Sequence, residues 1–386
     1  MSKPNIVIAG AGFAGLAAVR GLRSAAASGK CTVTVIDRNA DTTMVPALPD
    51  YAAGLIPKEW ITRPVTSLLP DYVRFEQTNI RSMHFAEQTV ETEKGPIPYD
   101  FLIVALGSVS APPAPILATL QTHTVTSLGD TQVLQNAFEK LLQQDTSPQV
   151  LINGAGYTGL ELAIAMKRRA WRDRKAIDMH VVEQRPQILP FLPQKQRQRV
   201  LACIHRHGIK LHLNSEISSI TNQQVALTDG TRLDAPLLCR TEGTIAPVHP
   251  HNSGVELLGD LRMQVQPTLA LQAYPNVFAA GDAAAFAIPD GYLRKAVNFA
   301  YYAGEHAGRN VARVIHNRQT RPFKPLDLGW VIPLGDDSVG QVFGGIPMSG
   351  KLGLRMHYIM CGYRNYSIKN FFRLAGHAVR TGKTYK

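Results

Sequence analysis

Cysteine is too scarce and too scattered in this chain to build a disulfide framework or a zinc site. Cys31, Cys203, Cys239 and Cys361 lie far apart, with no C-x-x-C pair and no metal-ligand spacing among them. Cys31 opens a strand-like run and Cys203 sits in an apolar helical stretch, so both read as buried thiols. Cys239 and Cys361 remain open as reactive thiols. The 12 histidines form no H-E-x-x-H or comparable cluster, so no metal site is expected. No run of 18 uncharged apolar residues occurs, which argues against a transmembrane helix. No signal-peptide pattern precedes the strand-like Ile6-Val7-Ile8, which implies a cytoplasmic location. Acidic residues are missing from one end: none follows Asp337, while Lys351, Arg355, Arg364, Lys369, Arg373, Arg380, Lys383 and Lys386 do. This asymmetry, within a net charge of +12, suggests an anionic partner surface. A nucleic-acid partner is not expected, because no nucleic-acid-binding module is recognisable.

Glycine, by contrast, is placed with purpose. Asn5-Ile6-Val7-Ile8-Ala9 runs into Gly10-Ala11-Gly12-Phe13-Ala14-Gly15, and Gln149-Val150-Leu151-Ile152-Asn153 runs into Gly154-Ala155-Gly156-Tyr157-Thr158-Gly159. An apolar strand that feeds G-x-G-x-x-G into a helix is a pyrophosphate cradle. Its first glycine permits the tight turn, the second lets backbone approach phosphate, and the third lets helix pack on strand. Each copy is followed by a second strand-like run with an acidic end, Asp37 in the first and Glu183 in the second. A carboxylate there accepts hydrogen bonds from a ribose 2′-hydroxyl and repels a 2′-phosphate. Two cradles in one chain imply two dinucleotides, as in a flavoprotein that brings a nicotinamide to a flavin. Glu183 favours NADH over NADPH, although Arg185 offers a partner to a 2′-phosphate.

The expected fold is α/β, with two Rossmann-like β-α-β dinucleotide-binding domains, the second inserted in the first, and a C-terminal α+β segment. Residues 1–115 and 250–320 form the first domain, 116–249 the second, and 321–386 an interface or membrane-associating segment. Short alternating runs over 73–98 read as β-hairpins, residues 99–108 as a buried strand ending in a glycine turn, and 225–233 as a hairpin turning on Asp229-Gly230. Val277-Phe278-Ala279-Ala280-Gly281-Asp282 reads as a returning strand that completes the first domain, followed by a helix over about 295–316. In the tail, Leu352, Met356, Ile359, Met360 and Tyr363 share one helical face. Ile368, Phe371, Phe372, Ala375 and Val379 share another, with Lys369, Arg373, His377 and Arg380 opposite. Basic amphipathic helices of this kind read as interfacial anchors to anionic lipid, or as a packed or homodimerising tail.

Residues 10–15 with Asp37, 99–108, 154–163, Val182-Glu183 and 277–284 occur in the order and spacing of the two-dinucleotide flavin reductases, the FAD/NAD(P)-dependent pyridine nucleotide oxidoreductases. Within that superfamily Val45-Pro46-Ala47-Leu48-Pro49, Gly156-Tyr157-Thr158-Gly159-Leu160-Glu161-Leu162-Ala163, and Val182-Glu183 with Gln187-Ile188-Leu189-Pro190 most resemble the type II NADH:quinone oxidoreductases. The resemblance implies FAD held by Gly10, Gly12, Phe13, Ala14, Gly15, Asp37, Arg38, Pro46, Ala105, Gly107, Gly281, Asp282 and Ala296. It implies NAD held by Gly154, Gly156, Tyr157, Thr158, Gly159, Glu183 and Gly243, with a quinone or another small acceptor taking the electrons. Glu161 is then the proton-handling or cofactor-positioning carboxylate; a simple helix-start carboxylate is the alternative. Lys295, with Arg294, is placed to stabilise a reduced flavin or an anionic acceptor. Asn298 and Tyr302 stand where the family carries two glutamines, and Cys239-Arg240-Thr241-Glu242-Gly243 departs from the family's aromatic-Ala before this glycine. Phe299, Tyr301 and Tyr302 read equally as core. The segment 39–54 lacks the cysteine pair of the disulfide reductases, so electrons pass directly from flavin to acceptor. Other functions left open are a sulfide:quinone-type enzyme using Cys361, an NAD(P)H reductase of a soluble acceptor, and a non-enzymatic flavin-binding redox sensor.

Overall fold

The computed structural model describes residues 3–117, 120–144, 147–234, 236–247, 254–364 and 367–381; Lys383 and Lys386 of the basic tail lie outside them. The helices, in chain order, are α1 (Phe13–Ala27), α2 (Leu48–Ala52), α3 (Leu128–Leu142), α4 (Tyr157–Arg172), α5 (Gln194–Arg206), α6 (Val297–Ile315), α7 (Gly350–Arg364) and α8 (Ile368–Thr381). They belong to two units. One comprises Met1–Thr42, Arg63–Val109 and Thr244–Asp327, the other Thr43–Thr62, Ser110–Gly243 and Leu328–Lys386.

The first unit is built on a five-stranded sheet in the order Val277–Ala279, Phe101–Val104, Asn5–Ala9, Thr32–Asp37, Val73–Gln77. All four pairings are parallel. The central runs Ile6-Val7-Ile8 and Leu102-Ile103-Val104 are fully buried, as strands covered on both faces require. Val277–Ala279 is the expected returning strand. Val73–Gln77, expected in a hairpin, instead forms the sheet edge beside Thr32–Asp37. The three strands after it, Ile80–His84, Thr89–Thr92 and Gly95–Pro98, do form an antiparallel meander. Helices α1 and α6 pack backbone to backbone, because a Cβ on Gly304 would lie 2.0 Å from the Ala14 carbonyl oxygen and one on Gly308 2.2 Å from that of Ala18.

The second unit repeats the scheme. Its parallel sheet runs Thr122–Thr124, Leu237–Arg240, Gln149–Asn153, Asp178–Glu183, Ile209–Leu213. A meander of Ile217–Thr221, Gln224–Leu227 and Arg232–Asp234 follows, and its last two strands are the expected Asp-Gly hairpin. The C-terminal part is an antiparallel sheet of Gly329–Leu334, Asp337–Val342 and Ile346–Ser349, succeeded by α7 and α8. Leu354, Tyr358 and Cys361 form the buried face of α7, while Leu352, Ile359 and Tyr363 from the expected apolar face are exposed. In α8 the buried face is Asn370, Leu374, His377 and Ala378, and Ile368, Phe372 and Val379 point outward. His377 is expected on the polar side of the helix; it is buried because a carboxylate lies opposite it.

Candidate functional site

The two glycine turns are conformational copies. Gly10 and Gly154 both have φ +109°, the left-handed region that costs glycine no Cβ strain. A side chain on Gly10 would also strike the Ala105 carbonyl oxygen at 2.3 Å. One on Gly15 or Gly159 would strike the turn's own first carbonyl, at 1.8 and 2.0 Å. At Gly12 and Gly156, by contrast, a Cβ would meet nothing within 4 Å. These two glycines are the N-caps of α1 and α4. Neither has a side-chain cap, and neither helix has an acidic residue in its first turn. Each cradle therefore presents uncapped N–H groups and a positive helix end to open space, which suits a pyrophosphate. The dinucleotides implied by the resemblance fit the residues present.

The acidic partners close the turns. Asp37 Oδ2 accepts the Ala11 amide at 2.8 Å, and its Oδ1 accepts that of Asn39 at 2.8 Å. Glu183 Oε2 accepts the Ala155 amide at 3.2 Å, and its Oε1 that of Arg185 at 3.1 Å. Asp37 Oδ1 also accepts the Asn39 side-chain amide at 3.1 Å, while Asp37 Oδ2 and both Glu183 oxygens retain acceptor capacity for a ribose hydroxyl. Arg38 is exposed beside its cradle. The departure at Thr241 has a structural role: its hydroxyl donates to the carbonyls of Gly154 at 3.0 Å and Asn153 at 3.1 Å, pinning the second turn. Gly243, with φ +64°, accepts the Ala111 amide at 3.2 Å on the same unit.

In the first unit the returning strand Val277–Ala279 leads through Ala280 into Gly281, whose Cβ position is hemmed by Ala14 and Ala300 at 3.1 and 3.2 Å. Ser108 donates its hydroxyl to Asp282 Oδ2 at 2.9 Å. Burial raises the Asp282 carboxyl above the usual range, against the Ser108 bond and the charges of Lys295 and Arg262. Lys295 is fixed by three contacts: it donates to Thr244 O at 2.8 Å and to the Thr244 hydroxyl at 3.0 Å, and pairs with Asp260 at 3.1 Å. Asp282, Lys295 and Ala296, the N-cap of α6, line a cavity of about 20 Å³, room for about one water. Gly107 (φ +72°) has open space beside it. Asn298, expected at the acceptor, donates its amide to Leu326 O at 3.0 Å. Tyr302 packs edge-on against Tyr301, with ring centroids 5.7 Å apart, at the margin of the core. Phe299 and Tyr301 are buried, so the aromatic cluster packs as core.

Glu161 belongs to the second unit, one turn into α4. Burial, and then the charge of Asp50, push its carboxyl well above the ordinary range. Asp50, from α2, goes the other way: burial alone would raise it, but His377, Arg168 and Tyr358 outweigh that and hold it low. Tyr358 donates to Asp50 Oδ2 at 2.7 Å, and His377 Nε2 lies 3.9 Å from Oδ1. Two neighbouring carboxyl groups are thus pushed in opposite directions, Glu161 toward holding its proton and Asp50 toward losing it. Sequence reasoning does not reach Asp50, Tyr358 and His377. The only hint of Asp50 is a lone charge in the apolar run Ala47-Leu48-Pro49-Asp50-Tyr51-Ala52. Pro46 lies in this same unit, in the turn Val45–Ala47.

All four cysteines are free and buried. Burial raises the Cys239 and Cys361 thiols, with Asp50 and Glu161 adding to it at Cys361. Neither matches the exposed, electropositive setting of a reactive thiol. Among the described residues no group of three or more His, Cys, Asp or Glu is placed to hold a metal ion.

The profile of the pyridine nucleotide-disulphide oxidoreductases matches residues 4–307. The chain belongs to this family. It is an oxidoreductase using flavin and NAD(H). Among its relatives is a type II NADH:quinone oxidoreductase of Staphylococcus aureus, 26% identical over 375 residues, covering 90% of this chain and 92% of the relative. The fold is shared with the NDH2 of Plasmodium falciparum solved with NADH, at TM-score 0.82 and 14% identity, covering 99% of each chain. It is also shared with the sulfide:quinone oxidoreductase of Aquifex aeolicus, at TM-score 0.80 and 18% identity, covering 97% of this chain and 92% of that one. The redox disulphide in the family's description has no counterpart here, given four free thiols.

Proposed function

We propose that this family member is an FAD-dependent NADH dehydrogenase that delivers two electrons to a quinone-like acceptor. The observation that carries the reading is the duplicated cradle, uncapped and open at Gly12 and Gly156, each turn locked by its own carboxylate. We assign FAD to the unit holding Gly10 and the nicotinamide to the unit holding Gly154. Glu183 supports NADH, since a 2′-phosphate would meet its charge. Flavin, when bound, supplies the two-electron chemistry, accepting a hydride and passing electrons to the acceptor.

The chain's own residues do the rest. Backbone amides at both helix starts hold the pyrophosphates. Asp282 and the fixed ammonium of Lys295 orient and polarise the flavin side. The hydride from NADH amounts to one proton with two electrons, whereas a quinone takes up two protons with its two electrons. Glu161, whose hold on a proton is strengthened by burial and by the charge of Asp50, is assigned the second proton, while Asp50 is held toward its ionised form. The 26%-identical quinone-reducing relative and the missing cysteine pair favour a quinone over a disulfide. The outward face of Ile368, Phe372 and Val379 on the basic tail supports peripheral attachment to the cytoplasmic face of a membrane. No helix among the described residues is long and apolar enough to cross one.

Anaerobic stopped-flow tests this. Yellow, FAD-loaded protein mixed with NADH is expected to bleach rapidly, more slowly with NADPH, and to regain colour with a soluble quinone. Flavin that stays oxidised with both nicotinamides would overturn the reading. Return of colour only with a soluble protein or disulfide acceptor would overturn the quinone.

A further inference from the structure

A second concave site lies at the opposite end of α1 and α6 from the flavin cradle. Measured along α6 at about 1.5 Å per residue, its lining residues His306 to Arg313 lie about 14 to 24 Å from the helix start. The hollow has a volume of about 330 Å³, and its walls include Ser24 of α1, Arg309 and Arg313 of α6, and His316, Arg318 and Arg321 just beyond. No carboxylate lines it. Glu305, outside the wall, pairs with Arg309 at 2.6 Å. The guanidiniums of Arg318 and Arg321 have no acidic partner among the described residues. Arg313 feels both as repelling neighbours.

The wall is built rather than incidental. Asn310, fully buried, donates to Arg321 O at 2.9 Å and to Thr268 O at 3.0 Å, and its Oδ1 accepts the Arg321 amide at 2.9 Å. His306 Nε2 lies 2.8 Å from the same Arg321 carbonyl, so the segment after α6 is held from two sides. Lys30 donates to His316 Nδ1 at 3.1 Å, which leaves the Nε2–H of His316 as a further donor. Cations at a helix C-terminus offset the dipole, and Arg313 in the last turn of α6 does so. Arg318 and Arg321 lie past the helix end, so that account does not cover them.

We infer that this hollow binds a small polyphosphate anion. Forked guanidiniums without carboxylate partners match vicinal phosphoryl oxygens, which accept paired N–H bonds. The walls offer no tryptophan, tyrosine or phenylalanine on which a base would stack, so recognition is of the phosphates. The ligand is either a free polyphosphate or the headgroup of a polyphosphorylated lipid.

The test is calorimetric titration of FAD-loaded protein with pyrophosphate, with NAD⁺ in excess to fill any nucleotide site. One saturable site is expected, weakened on raising the salt from about 50 to about 200 mM and bound at least tenfold more weakly by R313A/R318A. That variant is expected to keep its flavin content and its NADH-driven turnover. Absence of saturable binding, equal affinity in the variant, or inorganic phosphate binding as tightly as pyrophosphate would each overturn the proposal. Once the pyrophosphate site stands, vesicles carrying a polyphosphorylated lipid assign its source. Competition with pyrophosphate names the lipid, and none names the free anion.

Discussion

Tyr358 donates its hydroxyl to Asp50 Oδ2 at 2.7 Å, tying α7 to α2 within the second unit. The bond ends on a buried, ionised carboxylate, and such bonds are worth about 1.5–3 kcal/mol. Y358F is expected to lose about that much stability in denaturant titrations at pH 7. Because the Asp50 pKa is lowered in the folded protein, the stability it contributes is present above its unfolded value, about pH 4. It is lost as pH falls through the folded pKa. Melting curves of wild type and D50N are therefore expected to converge on acidification. Curves that stay equally far apart from pH 7 to the acid limit would contradict an ionised Asp50.

Glu161 has the opposite sign. Its folded pKa is raised, so between the unfolded and folded values the native state binds more protons, and stability falls as pH rises. Each tenfold difference in proton affinity between the folded and unfolded chain is worth about 1.4 kcal/mol. E161Q is expected to be more stable than wild type at pH 7 and equal to it near pH 4. As the proposed proton holder, Glu161 should also matter to turnover, and loss of a general acid slows reactions by about 10²–10⁴-fold. A variant with wild-type quinone reduction across the pH range would remove Glu161 from the mechanism.

The cradles predict a graded glycine series. Gly12 and Gly156 have extended backbone and free space at Cβ, so G12A and G156A should fold, at a capping cost of about 1 kcal/mol. Purified G12A is expected to be pale, having lost flavin, and G156A yellow but with a raised KM for NADH. G15A would press a methyl against the Gly10 carbonyl at 1.8 Å, and little soluble protein is expected. Full flavin content in G12A would place the flavin elsewhere.

The tail predicts a separation of membrane binding from chemistry. Ile368, Phe372 and Val379 are 78%, 66% and 54% exposed, so replacing all three with serine costs little packing. The triple variant should no longer sediment with anionic vesicles, yet should bleach with NADH at the wild-type rate. Unchanged sedimentation would assign the outward face to another purpose.

Both cradles are legible from sequence because their requirements are local: a buried strand, a left-handed glycine and a small residue five positions later all lie in one short segment. The returning strand at Val277–Ala279 is legible for the same reason. Val73–Gln77 departs from its expected hairpin because edge pairing is decided by Thr32–Asp37, far away in the chain. The Asp50–Tyr358–His377 contact escapes sequence reasoning because helical periodicity alone puts His377 with Lys369 and Arg373. Only the distant carboxylate makes its burial favourable. Asn298 shows the reverse case, a polar residue singled out for the acceptor whose amide is already engaged by Leu326.

The sealed thiols also make the protein its own unfolding clock. Cys31 lies in one unit and Cys203, Cys239 and Cys361 in the other, all buried in the folded protein, and burial pushes the Cys203 thiol up to about 11. An alkylating reagent can therefore modify each one only when its own surroundings open. Peptide-resolved labelling rates would rank the opening of the Cys31 region against those around the other three. Repeating the measurement with each dinucleotide would show which unit that ligand holds shut.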